Sequence, residues 1–180
     1  MAAGRVEGKV TFAPMMRFAL LLGGNSGDVR GTFVRALSLL QGKAGTIQTQ
    51  SQLYQSPSWG FDSNDFLNMA VVLETELSPL ELLDCALEIE RELGRKRRDQ
   101  PGYSDRSIDI DLLLGEGISF DHPRLLLPHP RLTLRKFALL PLSEIAADWQ
   151  FPDGSTVIDA LHICEDTSIV KLLHPLNFPE

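Results

Sequence analysis

The clearest alternation of hydrophobic and polar side chains in the chain lies at residues 106–114. Ile108 and Ile110 fall on one set of alternate positions, and Asp109 and Asp111 fall on the other. Alternate side chains of a β-strand point to opposite faces of its sheet. The pattern therefore predicts a strand on which the two carboxylates share a face.

Other periodicities predict the elements around this strand. Apolar residues at helical spacing, or in short runs, indicate the following order: a strand at 18–22, a helix around 33–40, strands at 46–54 and 66–73, a helix from 79, and the strand at 106–114. We expect the first helix to stop at Gly42 and the second to end at Gly94. Ser78 and Glu81 form a capping box for the second helix, with Pro79 at its first position.

The order β-α-β-β-α-β predicts an α+β fold, a ferredoxin-like antiparallel sheet with its helices on one face. A C-terminal extension follows, for which the pattern indicates short helical pieces at 135–140 and 142–147 and a last helix that bears Val157, Ile158 and Leu161. Sheets of this kind host RNA-binding modules, ligand sensors and enzymes, so the fold alone does not decide the function.

Length places a limit on the number of domains. The chain has 180 residues, enough for one well-buried core, and we expect a single domain at 17–180. Residues 1–16 show no apolar period, and we expect a disordered leader or a natural start at Met15 or Met16.

Net charge and cysteine spacing limit the partners and the cell compartment that we expect. The net charge of −7 argues against nucleic acid or a membrane as a partner, whereas ten of the 17 basic residues lie between Arg91 and Lys136. Such local concentration favours a small polyanion, and we expect a monomer. Cys85 and Cys164 have no metal-ligand spacing, and the apolar run at 18–22 is too short to cross a membrane, so we expect a cytoplasmic protein.

Candidate chemistry centres on the two aspartates. Paired carboxylates on a strand fit an ordinary solvated face, but they also fit Mg²⁺, which favours one or two carboxylates together with waters and phosphates. The basic run at 95–98 and Arg106 stand just upstream, and cations beside paired anions are the layout of a metal and polyphosphate site. Asn68 is polar in an otherwise apolar strand, so it bonds either a buried group or a ligand.

Seven stretches together resemble one family, the 6-hydroxymethyl-7,8-dihydropterin pyrophosphokinases of folate biosynthesis. They lie at residues 22–28, 54–57, 65–68, 89–97, 106–111, 127–131 and 135–137. Each is weak alone, but their joint order is specific, because short motifs rarely co-occur in sequence by chance. The resemblance implies transfer of pyrophosphate from ATP to the pterin hydroxymethyl group in tetrahydrofolate biosynthesis, with AMP and the pterin diphosphate as products.

The resemblance also implies roles for individual residues. Two Mg²⁺ ions would be held by Asp109 and Asp111. The catalytic set would be Arg97, Arg106, Asp109 and Asp111. ATP would be bound by Glu90, Arg95, Arg97, Tyr103, Arg106, His129 and Arg135. The pterin would be bound by Ser56, Pro57, Trp59, Phe66, Asn68 and Phe137, with Phe66 and Phe137 on its two faces. Asn25 and Glu90 would be supporting members.

One segment departs from the family's pattern. Where the family has a basic residue, a Trp or similar and then Gly-Pro before the arginine, this chain has Gly102, Tyr103, Ser104 and Asp105. Tyr103 can keep a stacking role, but Asp105 brings a negative charge near the expected phosphates.

Two other classes of protein stay open on the residues themselves. A metal-dependent phosphohydrolase could use Asp109 and Asp111, although it would need a residue that activates water. A non-catalytic RNA-binding module could use the same sheet, although the acidic charge and the lack of an aromatic RNP-type strand argue against it.

Overall fold

A six-stranded antiparallel sheet forms the centre of the described part of the protein. The computed structural model describes residues 14–58, 63–95 and 105–173. The strands are β1 (Met16–Gly24), β2 (Thr46–Gln50), β3 (Leu53–Ser56), β4 (Phe66–Thr75), β5 (Asp109–Gly115), β6 (Phe120–His122), β7 (Leu125–Leu127) and β8 (Lys171–Leu173). The helices are α1 (Val29–Lys43), α2 (Pro79–Glu92), α3 (Lys136–Ala146) and α4 (Val157–Ile163), with a 3₁₀ turn at Leu132–Leu134.

The strand order in the sheet is β5-β1-β4-β3-β8, and β2 also pairs with β4. All these pairings are antiparallel. The short strands β6 and β7 form a separate two-stranded sheet. An antiparallel sheet with helices packed on it is therefore confirmed. No helix in the described ranges combines the length and the apolarity that a membrane crossing requires.

The central strand β1 aligns residues from its two neighbours. Gly23 lies opposite Asn68 of β4 on one side and opposite Asp109 of β5 on the other. Residues directly opposite one another share a face of the sheet. Asn68 and Asp109 therefore flank Gly23 on one face, at one end of the sheet.

Two hydrophobic clusters cover the two faces of the sheet. On the first face, α1 and α2 pack with Phe18, Leu20 and Ile110. On the second face, α3 and α4 pack with Leu21 and Ala70. The two helices of the β-α-β-β-α-β unit, α1 and α2, lie on one face as predicted, and the helices of the C-terminal extension cover the other face. Residues 18–22 of β1 are all apolar and buried, so both faces of the strand need a covering layer.

Several predicted boundaries also change. The strand predicted at 46–54 is two strands, because the Ser51 hydroxyl accepts a hydrogen bond from the Ala70 amide and donates one to the Gln52 carbonyl. The helix α1 continues through Gly42 to Lys43. The capping box of α2 is present as predicted, with Ser78 and Glu81 bonding each other's backbone amides.

The region after residue 130 differs most from the prediction. The two helical pieces are one helix, α3, which continues through Pro141. Proline removes one backbone donor from a helix, but the burial of Leu139, Leu142 and Ala146 against the sheet keeps the turns in place. The last helix, α4, forms around Val157 as predicted, and the edge strand β8 was not predicted.

Candidate active site

A cavity of about 550 Å³ opens where β1 ends and β4 and β5 begin, beside the start of α3. Its walls include most of the predicted site residues: Ser56, Pro57, Phe66, Asn68, Glu90, Arg95, Arg106, Asp109, Asp111, His129, Arg135 and Phe137. Trp59, Arg97 and Tyr103 lie outside the described residues. The structure therefore brings together side chains that are up to 81 positions apart in the sequence, from Ser56 to Phe137.

The two aspartates of β5 face this cavity. Ile110 and Leu112 point into the first core cluster, so Asp109 and Asp111 share the opposite face, as the alternation predicted. Burial, and next the neighbouring Asp109 carboxylate, raise the pKa of Asp111 to about 6, although three nearby arginines lower it. Two carboxylates are thus held side by side in a partly desolvated place, where a cation would stabilise both.

Asp109 is bracketed by two guanidinium groups. Arg95 pairs with one carboxylate oxygen and Arg106 with the other. The side chains of the three residues are 16 to 20% exposed, so these ion pairs are shielded from water. Positive charge is therefore concentrated beside the carboxylate pair.

Glu90 supports this arrangement from the opposite face of the sheet. It comes from the last turn of α2, its side chain is 3% exposed, and it pairs with Arg95. The Ile110 backbone amide, between the two aspartates, donates to a Glu90 carboxylate oxygen at 2.7 Å. Burial raises the pKa of Glu90 to about 7, against the lowering effect of that amide and of Arg95. Glu90 thus ties α2 to the strand that carries the aspartates.

Asn25 joins three chain segments beside Arg106. Its backbone amide donates to the Arg106 carbonyl at 3.0 Å, and its Oδ1 accepts from the Arg106 amide at 2.9 Å. Its Nδ2 donates to Asp105 at 2.8 Å and to Ser63 at 3.3 Å. Gly24 permits this approach, because a Cβ there would lie 2.6 Å from the Ser107 carbonyl oxygen.

Arg135 and His129 come from the segment before α3. Arg135 is 8% exposed and belongs to the turn that opens the helix. The His129 Nδ1 atom accepts a hydrogen bond from the Arg131 amide at 3.1 Å. Burial, and then the charges of Arg135 and Arg131, lower the pKa of His129 to about 4. His129 is therefore neutral near pH 7 and, with Nδ1 accepting, carries its proton on Nε2.

Aromatic rings and an amide line the part of the cavity nearest β4. The Arg106 guanidinium lies 5.5 Å from the centre of the Phe66 ring, and that of Arg135 lies 5.6 Å from the centre of the Phe137 ring. Asn68 is 2% exposed and donates from Nδ2 to the Ser56 hydroxyl at 2.9 Å. Each ring is therefore paired with one of the cations that the sequence predicted at the site.

The opposite part of the cavity was not predicted. Leu83 and Leu87 of α2 and Leu125 and Leu126 around β7 form an apolar wall there. Arg124 stands at its rim in an ion pair with Asp84. Leu126 is 44% exposed between two buried leucines, and no pattern in the sequence marked these residues as cavity lining.

The described residues contain no cluster of three or more His, Cys, Asp or Glu side chains placed to hold a metal ion. A site built from protein ligands alone is therefore not present in these ranges. The pair Asp109 and Asp111 nevertheless fits Mg²⁺, which takes its remaining ligands from water and substrate phosphates. Burial and the neighbouring Asp109 carboxylate both raise the pKa of Asp111, so a divalent cation at the pair would stabilise its ionised form.

A sheet covered on both faces, with a cavity at one end where carboxylates, guanidinium groups and aromatic rings converge, defines an enzyme of the α+β class. Comparison with known proteins gives the family. The family described as 7,8-dihydro-6-hydroxymethylpterin-pyrophosphokinase (HPPK) matches residues 19–147. The chain belongs to this family and is a pyrophosphokinase, a transferase, as the resemblance in the sequence predicted.

Bacterial relatives agree with this assignment. The chain is similar to proteins named 2-amino-4-hydroxy-6-hydroxymethyldihydropteridine pyrophosphokinase from several species. The one from Porphyromonas gingivalis is 42% identical over 140 residues, which are 76% of this chain and 95% of the relative. The one from Methylorubrum extorquens is 40% identical over 160 residues, or 88% and 99%. The one from Bacillus subtilis is 43% identical over 129 residues, or 70% and 75%.

Solved structures show the same fold. A crystal structure described as HPPK-DHPS in complex with substrates superposes with a TM-score of 0.67 at 15% identity over 83% of this chain. A crystal structure of Plasmodium falciparum HPPK-DHPS with pteroate gives a TM-score of 0.69 at 14% identity, also over 83% of this chain. The chain spans 43% and 44% of the length of those two proteins.

Proposed function

We propose that this enzyme transfers the pyrophosphoryl group of ATP to 6-hydroxymethyl-7,8-dihydropterin in a Mg²⁺-dependent reaction that yields AMP and the pterin diphosphate. The step belongs to tetrahydrofolate biosynthesis. One observation carries the proposal: carboxylates, guanidinium groups and two aromatic rings, from five separate stretches of sequence, line a single cavity.

The nucleotide is assigned to the part of the cavity nearest α2 and β7. The apolar wall of Leu83, Leu87, Leu125 and Leu126 suits a flat nucleobase, which gains by losing contact with water. The triphosphate would extend from there toward the arginines. The residues assigned to it are Arg95, Arg106, His129 and Arg135, together with Arg97 and Tyr103. Guanidinium forks match phosphate oxygens, and His129 is neutral and offers an N–H donor.

Asp109 and Asp111 are assigned as the ligands of two Mg²⁺ ions that also bind the phosphates. When bound, Mg²⁺ neutralises charge that develops on the phosphate oxygens. Arg95 and Arg106 form ion pairs with the Asp109 carboxylate in this structure. The phosphates of bound ATP would offer both arginines alternative anionic partners. Glu90 acts through Arg95 and the strand, because its own side chain is almost entirely buried.

The pterin is assigned to the end of the cavity between Phe66 and Phe137. A flat heterocycle gains from aromatic faces on both sides, and Asn68 offers an amide to its edge. Ser56 and Pro57 complete the wall there, with Trp59 of the same loop.

The chemistry needs positioning and charge stabilisation more than a nucleophilic side chain. The pterin hydroxymethyl oxygen forms a bond to the β-phosphorus of ATP. The bond from that phosphorus to the oxygen that bridges the α-phosphate breaks, and AMP leaves with the electron pair. The hydroxyl proton is released, so atoms and charge balance. Arg95, Arg106 and Arg135 stabilise the negative charge on the transferred and leaving groups.

The order β5-β1-β4-β3 supports a finer description of the fold. In this order the first and third strands of a β-α-β-β-α-β chain lie at the centre, with the fourth beside the first and the second beside the third. We assign this arrangement to the ferredoxin-like topology. The β2 strand and the edge strand β8 are additions to it.

The direct test is to incubate the full chain with MgATP and the reduced pterin. The proposal expects AMP and pterin diphosphate in equal amounts, with neither formed when EDTA removes the metal. Inorganic phosphate released without pterin would instead support a phosphohydrolase. RNA binding without any turnover would support a binding module. Either result would overturn the proposal.

A further inference from the structure

We infer that Asp105 is a positioning residue for Arg106 and acts through the side-chain amide of Asn25. The inference rests on the proposed function, since Arg106 is assigned there to the phosphates of ATP. It concerns the position where this chain departs from its family's pattern. The Asp105 carboxylate bonds with the amide of Asn25 and the hydroxyl of Ser63.

Asn25 contacts the backbone of Arg106. Asn25 is 8% exposed and lies in the turn between β1 and α1. Asn25 forms two hydrogen bonds with the Arg106 backbone: its backbone amide donates to the Arg106 carbonyl, and its Oδ1 accepts from the Arg106 amide. The second bond depends on the orientation of the Asn25 side chain. An amide rotated by half a turn would present N–H groups to the N–H group of Arg106, and the bond would be lost.

Three hydrogen bonds from Nδ2 fix the orientation of the Asn25 side-chain amide. Nδ2 of Asn25 donates to the Asp105 carboxylate at 2.8 Å, and at 3.3 Å to the Ser63 hydroxyl and to the Asn64 carbonyl. An ionised carboxylate accepts hydrogen bonds and cannot donate them, and a bond to a charged group is stronger than a neutral one. Asp105 therefore selects the rotamer that directs Oδ1 toward Arg106. The two longer bonds reinforce it.

The position of the Arg106 guanidinium depends on how its backbone is held. That group contacts the Asp109 carboxylate and lies over the Phe66 ring at 5.5 Å. Both contacts depend on where the backbone of residue 106 is held. Arg106 thus stands between the assigned metal ligand and one assigned face of the pterin. A small displacement of its backbone changes how well it meets the transferred group.

The kinetic test compares Asp105→Ala, Asp105→Asn and the control Asp65→Asn. Asp65 is an acid close in space whose carboxylate accepts from Gln55 at 2.8 Å and does not contact Asn25. With both substrates saturating, we expect kcat to fall about tenfold in Asp105→Ala, in line with one lost charge-assisted hydrogen bond. The KM for the pterin should stay within about twofold of the wild-type value. Asp105→Asn keeps an acceptor oxygen but loses the charge and gains a donor, so its kcat should lie between those of Asp105→Ala and the wild type, and Asp65→Asn should match the wild type. A fall in kcat by the same clear factor in Asp105→Asn and in Asp65→Asn would show that the loss of any nearby negative charge lowers kcat. That result would overturn the inference.

A double-mutant cycle tests whether Asp105 acts through Arg106. Without the Arg106 side chain there is nothing to position, so Asp105→Ala should cause no further loss of kcat in an Arg106→Ala background. Additive losses would mean that Asp105 acts by another route, and would overturn the inference.

Amide hydrogen exchange separates this inference from the proposed function, because it needs no substrate. In the free protein we expect the Arg106 amide to exchange at least about tenfold faster in Asp105→Ala than in the wild type or in Asp65→Asn. Unchanged exchange would overturn the positioning role even if the enzyme makes AMP. A wild type that makes no AMP would overturn the proposed function, and the exchange result would still decide the contact. Should Asp105→Ala fail to fold, Ser63→Ala combined with Asp105→Asn replaces it in the same measurement.

Discussion

At the scale of single residues, the two aspartates of β5 are the most exacting feature of the site. Asp111 is held beside Asp109 in a partly desolvated position, and burial together with that neighbouring carboxylate raises its pKa although three arginines lower it. In the proposed function magnesium adds positive charge that stabilises both ionised carboxylates.

Asp111→Asn should abolish most turnover and leave the fold intact. It removes one assigned metal ligand at nearly constant volume, and we expect kcat to fall on the order of 100-fold, the usual cost of deleting one preorganised electrostatic group. Steady-state AMP release measures the loss, and thermal unfolding checks the fold. Asp121→Asn, which removes an exposed acid of β6, is the matched control. A near-normal rate in Asp111→Asn would count against the metal assignment.

Phe137→Ala should separate the two substrates. The Phe137 ring lies in the first turn of α3 and is assigned to one face of the pterin, so its removal should weaken pterin binding by about tenfold and ATP binding far less. Isothermal titration with each ligand in turn gives the two dissociation constants. Losses of similar size for both ligands would refute the assignment.

The residues that could be predicted are those with a local signal. Alternation placed Asp109 and Asp111 on one face, and short motifs marked Phe66, Asn68 and Phe137. The contact of Asn25 with Asp105 spans 80 positions and leaves no periodic trace, so the sequence indicated only a charge near the phosphates.

At the scale of elements, the buried carboxylate of Glu90 shows how α2 and β5 become one unit. It accepts the backbone amide that lies between the two aspartates, so the last turn of the helix fixes the start of the strand. The stability of α2 therefore contributes to the geometry of the site. Its first turn is secured by the capping box of Ser78 and Glu81.

Ser78→Ala should lower the free energy of unfolding by about 1 kcal/mol, the usual cost of losing a capping side chain. Urea denaturation measures the change, and kcat should stay near the wild-type value because neither Ser78 nor Glu81 lines the cavity. Ser38→Ala, at an exposed position in the middle of α1, is the control and should cause no loss of stability. An equal effect of both changes would show that the cap contributes nothing of its own.

The prediction of elements succeeded where a whole segment kept one spacing of apolar residues, as in α2 and β5. It was wrong where a single side chain overrode the local preference. Ser51 replaces part of the ladder to β4 and divides one predicted strand into two. Pro141 suggested a break in α3, but burial against the second face of the sheet outweighs the one missing backbone donor.

At the scale of the whole molecule, the segment that follows the family-matched residues packs against elements that carry the site. The match ends at residue 147, yet α4 packs with α3, and β8 pairs with β3. Asp166 from this segment accepts the Lys136 backbone amide at 3.0 Å, and α3 has no side-chain cap from its own N-cap residue. The first turn of α3 carries Phe137 and directly follows Arg135. The predictions of a monomer, of a cytoplasmic location and of a single domain at 17–180 remain predictions.

Asp166→Ala should lower the free energy of unfolding by about 1 kcal/mol, because the first turn of α3 loses an anionic cap. It should also raise the KM for the pterin, since Phe137 sits in that turn. Chemical denaturation and steady-state kinetics measure the two effects. Asp148→Ala removes an exposed acid near the other end of α3 and is the control. Unchanged pterin KM in Asp166→Ala would mean that the cap does not reach the site.

The contact between Asp166 and Lys136 has a practical consequence for protein production. A gene shortened to the family-matched region would express a helix α3 with open amide groups at its first turn and a sheet with the edge of β3 uncovered. Such a product would tend to self-associate through that edge, and low activity measured on it would reflect the missing tail rather than the catalytic residues.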